Sequence, residues 1–569
     1  MSGNGSEKTA GEARVGVFVC HCGSNIAGYL DCVELTEFAA TLPNVAYAKN
    51  NLYTCAESGI AEIKKAIAEH GLTRVVVASC SPRTHMPLFK SACGEAGLNP
   101  YLFEMANIRD QCSWVHMQER GEAQIKAMDL IRMAVAKATL LSPQEDIESS
   151  LVKKAMVLGG GVAGLSASAA LADMGVGVLL VEREPQLGGL LNRINRIGPS
   201  GEKASDIVAG LVEAVKKQPN VSLRLETELA AVGGVVGNYE VTLRAKDGAE
   251  STEVVGAIVV ATGAVPLKPE GLFGYNGKNV ITQIELEERL RDGKLDAERI
   301  VMIQCAGSRA PERKYCARIC CLTAVKNALA IKQANPEAQV HVLYRDIQMY
   351  GAENEDLLWQ SRGIGVRYEV YGKETPPVVK DGVVRIDEPL TGMTVEIPYD
   401  LVVLSTPLVA REDAAAIANL MRIPVDQNSF YMEAHAKLRP LDFATDGIFL
   451  CGTARYPATV GEAQAQGLGA AARADTILSK DKLVFSALVS YVTDRCDGCA
   501  MCLDVCPYHA ITLEEYEGNG RMLKRVKTDS ILCKGCGVCA ATCPKGGVRV
   551  HGFTHEQIKA QIDALLQVE

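Results

Sequence analysis

The chain has 569 residues, 48% of them hydrophobic, a net charge of −9 and 20 cysteines. Such a length calls for several domains, and the acidic balance argues against nucleic acid as the main partner, because phosphate binding needs a basic surface. Residues 1–14 are polar without the apolar stretch of a signal peptide, and no run reaches the roughly 20 apolar residues of a membrane helix. A cytoplasmic protein is therefore expected, with cysteines serving metal or redox chemistry rather than disulfides.

Residues 1–14 are expected to be a disordered tail, followed by a small N-terminal α/β domain over 15–150. Val15-Gly-Val-Phe-Val-Cys20 reads as an apolar strand, 35–42 as a helix and 46–55 as a second extended segment. A helix over 61–70 and a third strand, Arg74-Val-Val-Val-Ala-Ser-Cys80, follow. This reading puts Cys20, Cys55 and Cys80 at strand ends, which converge on the ligand-binding edge of a parallel sheet. Cys22 lies beside Cys20. Four thiolates at one point are enough to hold an iron–sulfur cluster, with Cys112 as a rival fourth ligand. Cys32 and Cys93 read as small buried hydrophobes, and His21, His85 and His116 as structural histidines. A helix over 123–140 and a polar linker near Ser142-Pro143 close the domain.

The next domain, expected over 151–480, opens on Met156-Val-Leu-Gly-Gly-Gly-Val-Ala-Gly-Leu165. Gly159, Gly161 and Gly164 fit G-x-G-x-x-G, with Val162 and Ala163 between the last two. An apolar strand precedes them, a helix follows, and the next strand (178–181) runs into Glu182 and Arg183. Here Gly159 permits the tight turn, Gly161 lets backbone approach a pyrophosphate, Gly164 lets helix pack on strand, and Glu182 accepts from a ribose hydroxyl. Three further segments complete a cofactor site. Pro185-Gln-Leu-Gly-Gly189 contributes Gly188 and Gly189, and Ile258-Val-Val-Ala-Thr-Gly263 contributes Ala261, Thr262 and Gly263. A late strand ends at Gly452-Thr453, ahead of Ala463-Gln-Ala-Gln-Gly467 with Gln466 and Gly467. The set resembles the FAD domain of thioredoxin-reductase-like flavoproteins, with Thr453 where those proteins usually carry Asp.

A second nucleotide-fold unit is expected between about 279 and 440, with strands over 299–304 and 340–344 and a helix over 317–333. Its first turn, Cys305-Ala-Gly-Ser-Arg309, lacks the phosphate fingerprint, which argues against an NAD(P) site. The junction holds Cys305, Cys316, Cys320 and Cys321 instead, a natural ligand set for one cluster. A redox-active disulfide is the competing reading; no C-x-x-C occurs there, and the C-x4-C spacing of Cys316 and Cys321 falls inside the same four-cysteine set.

A two-cluster α+β ferredoxin domain is expected over 481–569. Cys496, Cys499, Cys502 and Cys506 form C-x2-C-x2-C-x3-C-P, and Cys533, Cys536, Cys539 and Cys543 repeat it. In this motif the fourth cysteine crosses to the other cluster. Cys543 would therefore complete the cluster of Cys496, Cys499 and Cys502, and Cys506 that of Cys533, Cys536 and Cys539. Residues 555–566 read as a short closing helix.

Taken together, Cys20-His-Cys-Gly-Ser-Asn25, Val77-Ala-Ser-Cys-Ser-Pro-Arg-Thr-His85, Asn107-Ile-Arg-Asp-Gln-Cys-Ser-Trp-Val-His116, the glycine fingerprint, Tyr315-Cys-Ala-Arg-Ile-Cys-Cys321 and the doubled cysteine run resemble the A-subunit family of heterodisulfide reductase nearly end to end. The resemblance implies an oxidoreductase with one FAD and [4Fe–4S] clusters, four in this chain, working among other subunits. It implies electrons taken from a hydrogenase- or formate-dehydrogenase-type donor and passed to ferredoxin and to a higher-potential acceptor, by bifurcation or confurcation, and it admits homodimers within the complex. Lys326 falls where the family places a lysine beside flavin N5, and a cation there stabilises an anionic reduced flavin. Full-length relatives carry a further two-cluster ferredoxin after a segment like Val236-Gly-Asn-Tyr-Glu240, whereas this chain continues without cysteines. Two alternatives stay open: a relay subunit that does not bifurcate, and an NAD(P)H-dependent disulfide reductase.

Overall fold

A computed structural model describes residues 13–518 and 520–567, so the expected tail lies outside the described residues up to position 12. The chain folds as two compact units, one holding residues up to Glu148 together with those from Val484 on, the other Ser149–Leu483.

In the first unit, strand β1 (Val15–Cys20), helix α1 (Cys32–Thr41), β2 (Val45–Asn51), α2 (Glu57–Glu69), β3 (Arg74–Ser79), α3 (Pro82–Glu95), β4 (Phe103–Asn107) and α4 (Arg120–Thr139) follow one another. The four strands form a parallel sheet in the order β2-β1-β3-β4. Every residue of β1 and β3 is buried, as expected when helices cover both faces of a sheet. The strand order reverses between β1 and β3, which opens a crevice at their carboxyl ends. One expectation needs correction. The second strand stops at Asn51, so Cys55 lies in the loop before α2 rather than at a strand end. The reason is a turn ahead of α2, closed by Ala56 N donating to Tyr53 O at 3.1 Å.

The C-terminal segment of this unit packs on the N-terminal sheet domain. The helix His555–Leu566 lies against α4, with Gln557 Nε2 donating to Leu140 O at 3.0 Å. The Tyr101 hydroxyl accepts from Ala487 N at 2.8 Å. A two-stranded pair, Ser490–Val492 with Val548–Val550, and a hairpin, Ile511–Gly518 with Arg521–Thr528, frame the cysteine loops.

The second unit contains two five-stranded parallel sheets. One has the strand order Ile448–Leu450, Ala257–Val260, Lys154–Leu158, Gly177–Val181, Val221–Arg224. The other runs Val280–Thr282, Leu401–Leu404, Arg299–Ile303, Gln339–Tyr344, Arg367–Val370. Helix α5 (Val162–Asp173) follows the glycine turn directly, with Gly161 as its N-cap. The helix expected over 317–333 begins at Cys320, because Arg318 has a left-handed backbone and breaks the first turn. The late helix spans Val460–Leu478, opened by a capping box between Thr459 and Glu462 ahead of the small residues. Where longer relatives are expected to carry an insertion, Thr227–Val235, Asn238–Ala245 and Glu250–Val255 form a closed antiparallel meander.

Candidate functional site

A cleft of about 520 Å³ opens in the second unit, at the carboxyl ends of Lys154–Leu158 and Ala257–Val260. Its lining includes Gly159, Gly161, Val162, Ala163, Glu182, Arg183, Gly188, Gly189, Ala261, Thr262, Gly263, Thr453 and Lys326. The glycines have separate structural reasons. Gly159 has φ +113°, and a Cβ there would stand 2.4 Å from Ala261 O. At Gly161 an added Cβ meets nothing within 4 Å, because it would project into the open cleft. Helix α5 has no side-chain cap and no acidic residue in its first turn, so its free N–H groups face the cleft uncompensated. These observations fit a bound dinucleotide phosphate.

Four expected residues shape the cleft without lining it. Gly164 and Gly467 are close-approach positions. A Cβ on Gly164 would be 1.8 Å from Gly159 O, and one on Gly467 would be 2.4 Å from Ala163 O, so α5 packs against its strand and against the Val460–Leu478 helix. Gln466 Oε1 accepts from Gly452 N at 3.0 Å and fixes the turn that carries Thr453. On the lining itself, Glu182 is buried and accepts from Gly160 N at 2.6 Å and from Glu184 N at 2.9 Å, which aims it across the glycine turn. Arg183 pairs with Asp413 at 3.2 Å on the cleft rim.

The helix Cys320–Ala334 presents two faces. Ile319, Leu322, Thr323 and Lys326, spaced as one helical stripe, line the cleft. Cys320 and Cys321 turn the other way, toward Cys305 and Cys316, with which they interact electrostatically. Burial pushes Cys305 up, and a hydrogen bond from Cys320 lowers Cys321 while raising its partner. The side chain of Gln304 is buried with neither amide atom partnered, and Arg345 Nε is likewise orphaned. Cys305 and Arg318 adopt φ +60° and +61°, local strain of the kind that collects at functional sites. Arg318 then ties the cysteine loop to the segment covering the cleft. It donates to Pro457 O at 2.9 Å and to Glu462 at 2.6 Å, and its guanidinium stacks on Tyr456. The crowded thiols and orphaned donors fit an iron–sulfur cluster.

At the crevice of the first unit, Cys55 and Cys80 each lie within electrostatic reach of Cys20 and Cys22. Burial raises Cys55 and Cys80, and like-charge neighbours add to it. Thr54 is fully buried, donates its N–H to Cys20 Sγ at 3.4 Å, and leaves its hydroxyl unpartnered. Cys112 sits elsewhere, wholly buried with its thiol donating to Ala123 O at 3.0 Å. Cys93 is also core, while Cys32 lies close enough to Cys20 for that neighbour to help burial push it up to about 12.

In the C-terminal segment Cys502 interacts with Cys539, Cys543 and Cys496, and a small cavity is lined by Cys506, Cys533, Cys536 and Cys539. Cys543 thus stands near Cys502, and Cys506 lines the cavity with the second run, while Cys539 is near both sets. Gly535, at φ +63° with its Cβ position 2.1 Å from Leu488 O, leaves no room for a side chain in the second loop. Cys499 and Cys536 are exposed. Burial would raise Cys543, but backbone N–H groups following it outweigh burial and lower it. Among the described residues no three His, Cys, Asp or Glu side chains close on a single ion. A cluster binds each thiolate to a different iron, and so holds its ligands farther apart than one shared ion does.

Sequence reasoning missed Glu287, Arg109 and Arg318. Glu287 sits in a charged run, Gln283–Arg291, that reads as a solvated helix face, yet it is 1% exposed and accepts from Lys326. No signal in the local pattern distinguishes it from its neighbours.

The fold and site define an iron–sulfur flavoprotein oxidoreductase. Residues 153–467 match the pyridine nucleotide-disulphide oxidoreductase family and 495–547 the 4Fe-4S dicluster domain. The chain is 38% identical to the second iron-sulfur A subunit of CoB--CoM heterodisulfide reductase from Methanopyrus kandleri, over 89% of this chain and 92% of that protein. It is 36% identical to the A subunit of H(2):CoB-CoM heterodisulfide,ferredoxin reductase from Methanothermobacter thermautotrophicus, over 91% and 93%. Among solved structures, thioredoxin reductase of T. acidophilum aligns with 57% of this chain and 98% of its own, at 16% identity and TM-score 0.41. The chain belongs to the A-subunit family of heterodisulfide reductase, whose members are subunits of larger complexes. The alignment to the M. kandleri protein spans 606 positions over 89% of this 569-residue chain, so it carries gaps in this chain. No helix among the described residues is long and apolar enough to cross a membrane.

Proposed function

We propose that the chain is the FAD- and [4Fe–4S]-bearing subunit of a cytoplasmic heterodisulfide-reductase-like complex, splitting electron pairs from a two-electron donor into single electrons. The observation that carries this reading is the Cys320–Ala334 helix, whose first two turns line the flavin cleft on one side and supply cluster thiols on the other. FAD, when bound, would exchange two-electron for one-electron traffic. The residues around it have separable tasks. The N-terminus of α5, with Gly159 and Gly161, receives the pyrophosphate, and Glu182 the ribose. Lys326 supplies a positive charge at the flavin ring, held there by Glu287 and by Arg196 O. Leu322 and Ile319 exclude water between ring and cluster loop.

Four clusters are assigned: Cys20, Cys22, Cys55 and Cys80; Cys305, Cys316, Cys320 and Cys321; Cys496, Cys499, Cys502 and Cys543; Cys506, Cys533, Cys536 and Cys539. The sequence boundaries 15–150, 151–480 and 481–569 divide them among an N-terminal, a flavin and a ferredoxin domain. Partners are other subunits, ferredoxin and a hydrogenase- or formate-dehydrogenase-type donor, a choice supported by the H(2) and ferredoxin in the name of the M. thermautotrophicus relative.

A second reading, a relay that does not bifurcate, is favoured by the cysteine-free meander over 227–255. The purified complex distinguishes the two. Bifurcation delivers equal numbers of electrons to a low- and a high-potential acceptor, and delivery to the first stops when the second is withheld. A relay continues to reduce either acceptor alone.

A further inference from the structure

Arg109 follows β4 at the rim of the thiol-lined crevice of the first unit. Asn107 Oδ1 accepts from Arg109 N at 3.3 Å and Asp110 N at 2.9 Å, turning the chain back over the sheet edge. Ser113 Oγ then donates to Asn25 O at 2.8 Å, fastening this turn to the loop that carries Cys22. The guanidinium stacks on Trp114, 4.5 Å from the ring centroid, and its side chain is 16% exposed. Nη1 stands 3.7 Å from Cys22 Sγ, and Cys55 and Cys80 also feel the positive charge. The carboxylate of Asp110 is 3.6 Å from Nη2, too far for a hydrogen bond, and Nε is buried with no partner at all. A guanidinium is thus clamped against thiols with a donor left over.

We propose that Arg109 is a positioning residue for electron transfer that sets the reduction potential of the N-terminal cluster, its charge and its spare Nε–H favouring the reduced form. The proposal rests on the reading that Cys20, Cys22, Cys55 and Cys80 hold a cluster. The step is one electron arriving at the iron–sulfur group from the reduced flavin or a partner's cluster. No proton moves, because arginine keeps its proton in both states. The added negative charge meets a fixed positive one in a poorly screened site, so the cation stabilises the reduced more than the oxidised form.

The test is a potentiometric titration of the full-length holoprotein followed by electron paramagnetic resonance, with iron and flavin content measured alongside. Cys22→Ala identifies which spectral component belongs to this cluster. Arg109→Gln is expected to lower that component's reduction equilibrium constant at least tenfold, about 59 mV for a one-electron couple. Arg109→Lys, which keeps the charge, is expected to recover at least half of the shift, with iron and flavin unchanged in both. An unmoved midpoint in Arg109→Gln, equal shifts in the two variants, or loss of the cluster's iron in both overturns the proposal. If Cys22→Ala leaves iron and every spectral component unchanged, the cluster assignment itself fails, and the role of Arg109 with it.

Discussion

Glu287 and Lys326 form an ion pair at the flavin cleft, the carboxylate 1% exposed and also accepting from Asn195 N at 3.1 Å. Burial favours the neutral amine and Glu287 opposes it; burial wins, and Lys326 is held below the usual lysine range. A lysine whose ammonium form stabilises reduced flavin takes up a proton on reduction, as the neutral amine, once the pH passes its pKa in the oxidised protein. The flavin midpoint should therefore steepen with pH from that point. In Glu287→Gln the opposing carboxylate is gone, the lysine's pKa falls further, and the steepening starts at lower pH. Flavin potentials measured across a pH series check this, and coincident profiles would count against it.

The N-terminal thiols give a second contrast. Cys55→Ser should remove one cluster's worth of iron and labile sulfide, because Cys55 faces Cys20 and Cys22. Cys112→Ser should leave iron unchanged, since its partner is the carbonyl of Ala123. Iron and sulfide assays on the two proteins decide between the rival ligands.

Arg318 makes a third prediction. Arg318→Ala severs the contacts to Pro457 O and Glu462, each charge-assisted bond being worth about 1.5–3 kcal/mol. FAD should stay bound, because the residue does not line the cleft. Electron transfer between flavin and the adjacent cluster should slow, as the cysteine loop is no longer held against the covering segment. Stopped-flow absorbance, following flavin and cluster bands separately, measures both.

Gly164→Ala tests the fingerprint itself. Its new Cβ would overlap Gly159 O, so the helix must move off the strand and the phosphate site widens. The flavin-to-protein ratio should fall well below that of the parent. Gly467→Ala, which strikes Ala163 O between two helices, should instead cost stability, about 1–3 kcal/mol, read from denaturant melts.

Much of this was legible in the sequence wherever a backbone constraint forces a residue type. Gly159 needs a positive φ, Gly164 needs backbone contact, and the doubled cysteine run needs its proline-terminated crossing, so each leaves a mark at fixed spacing. Cys20 and Cys80 were readable because apolar strands lead into them. Cys55 was misplaced by a few residues because its extended segment ends in a turn that apolar patterning does not register. Glu287 left no such mark, and Arg109 and Arg318 lie inside motifs that carry the family resemblance without any spacing that shows what they do. Their roles depend on what the fold places opposite them, and a charged residue bound for the interior is written like one bound for water.

The proposed function requires single electrons to pass between the flavin and the thiol-bound iron across the Cys320–Ala334 helix. Anaerobic photoreduction of the holoprotein, sampled by rapid freezing, tests this most directly. The prediction is that reduced-cluster resonances grow in as the flavin absorbance bleaches, and that Cys320→Ala abolishes the component assigned to the adjacent cluster. Flavin that bleaches fully while every cluster stays oxidised, or protein replete with flavin yet nearly free of iron, would contradict it.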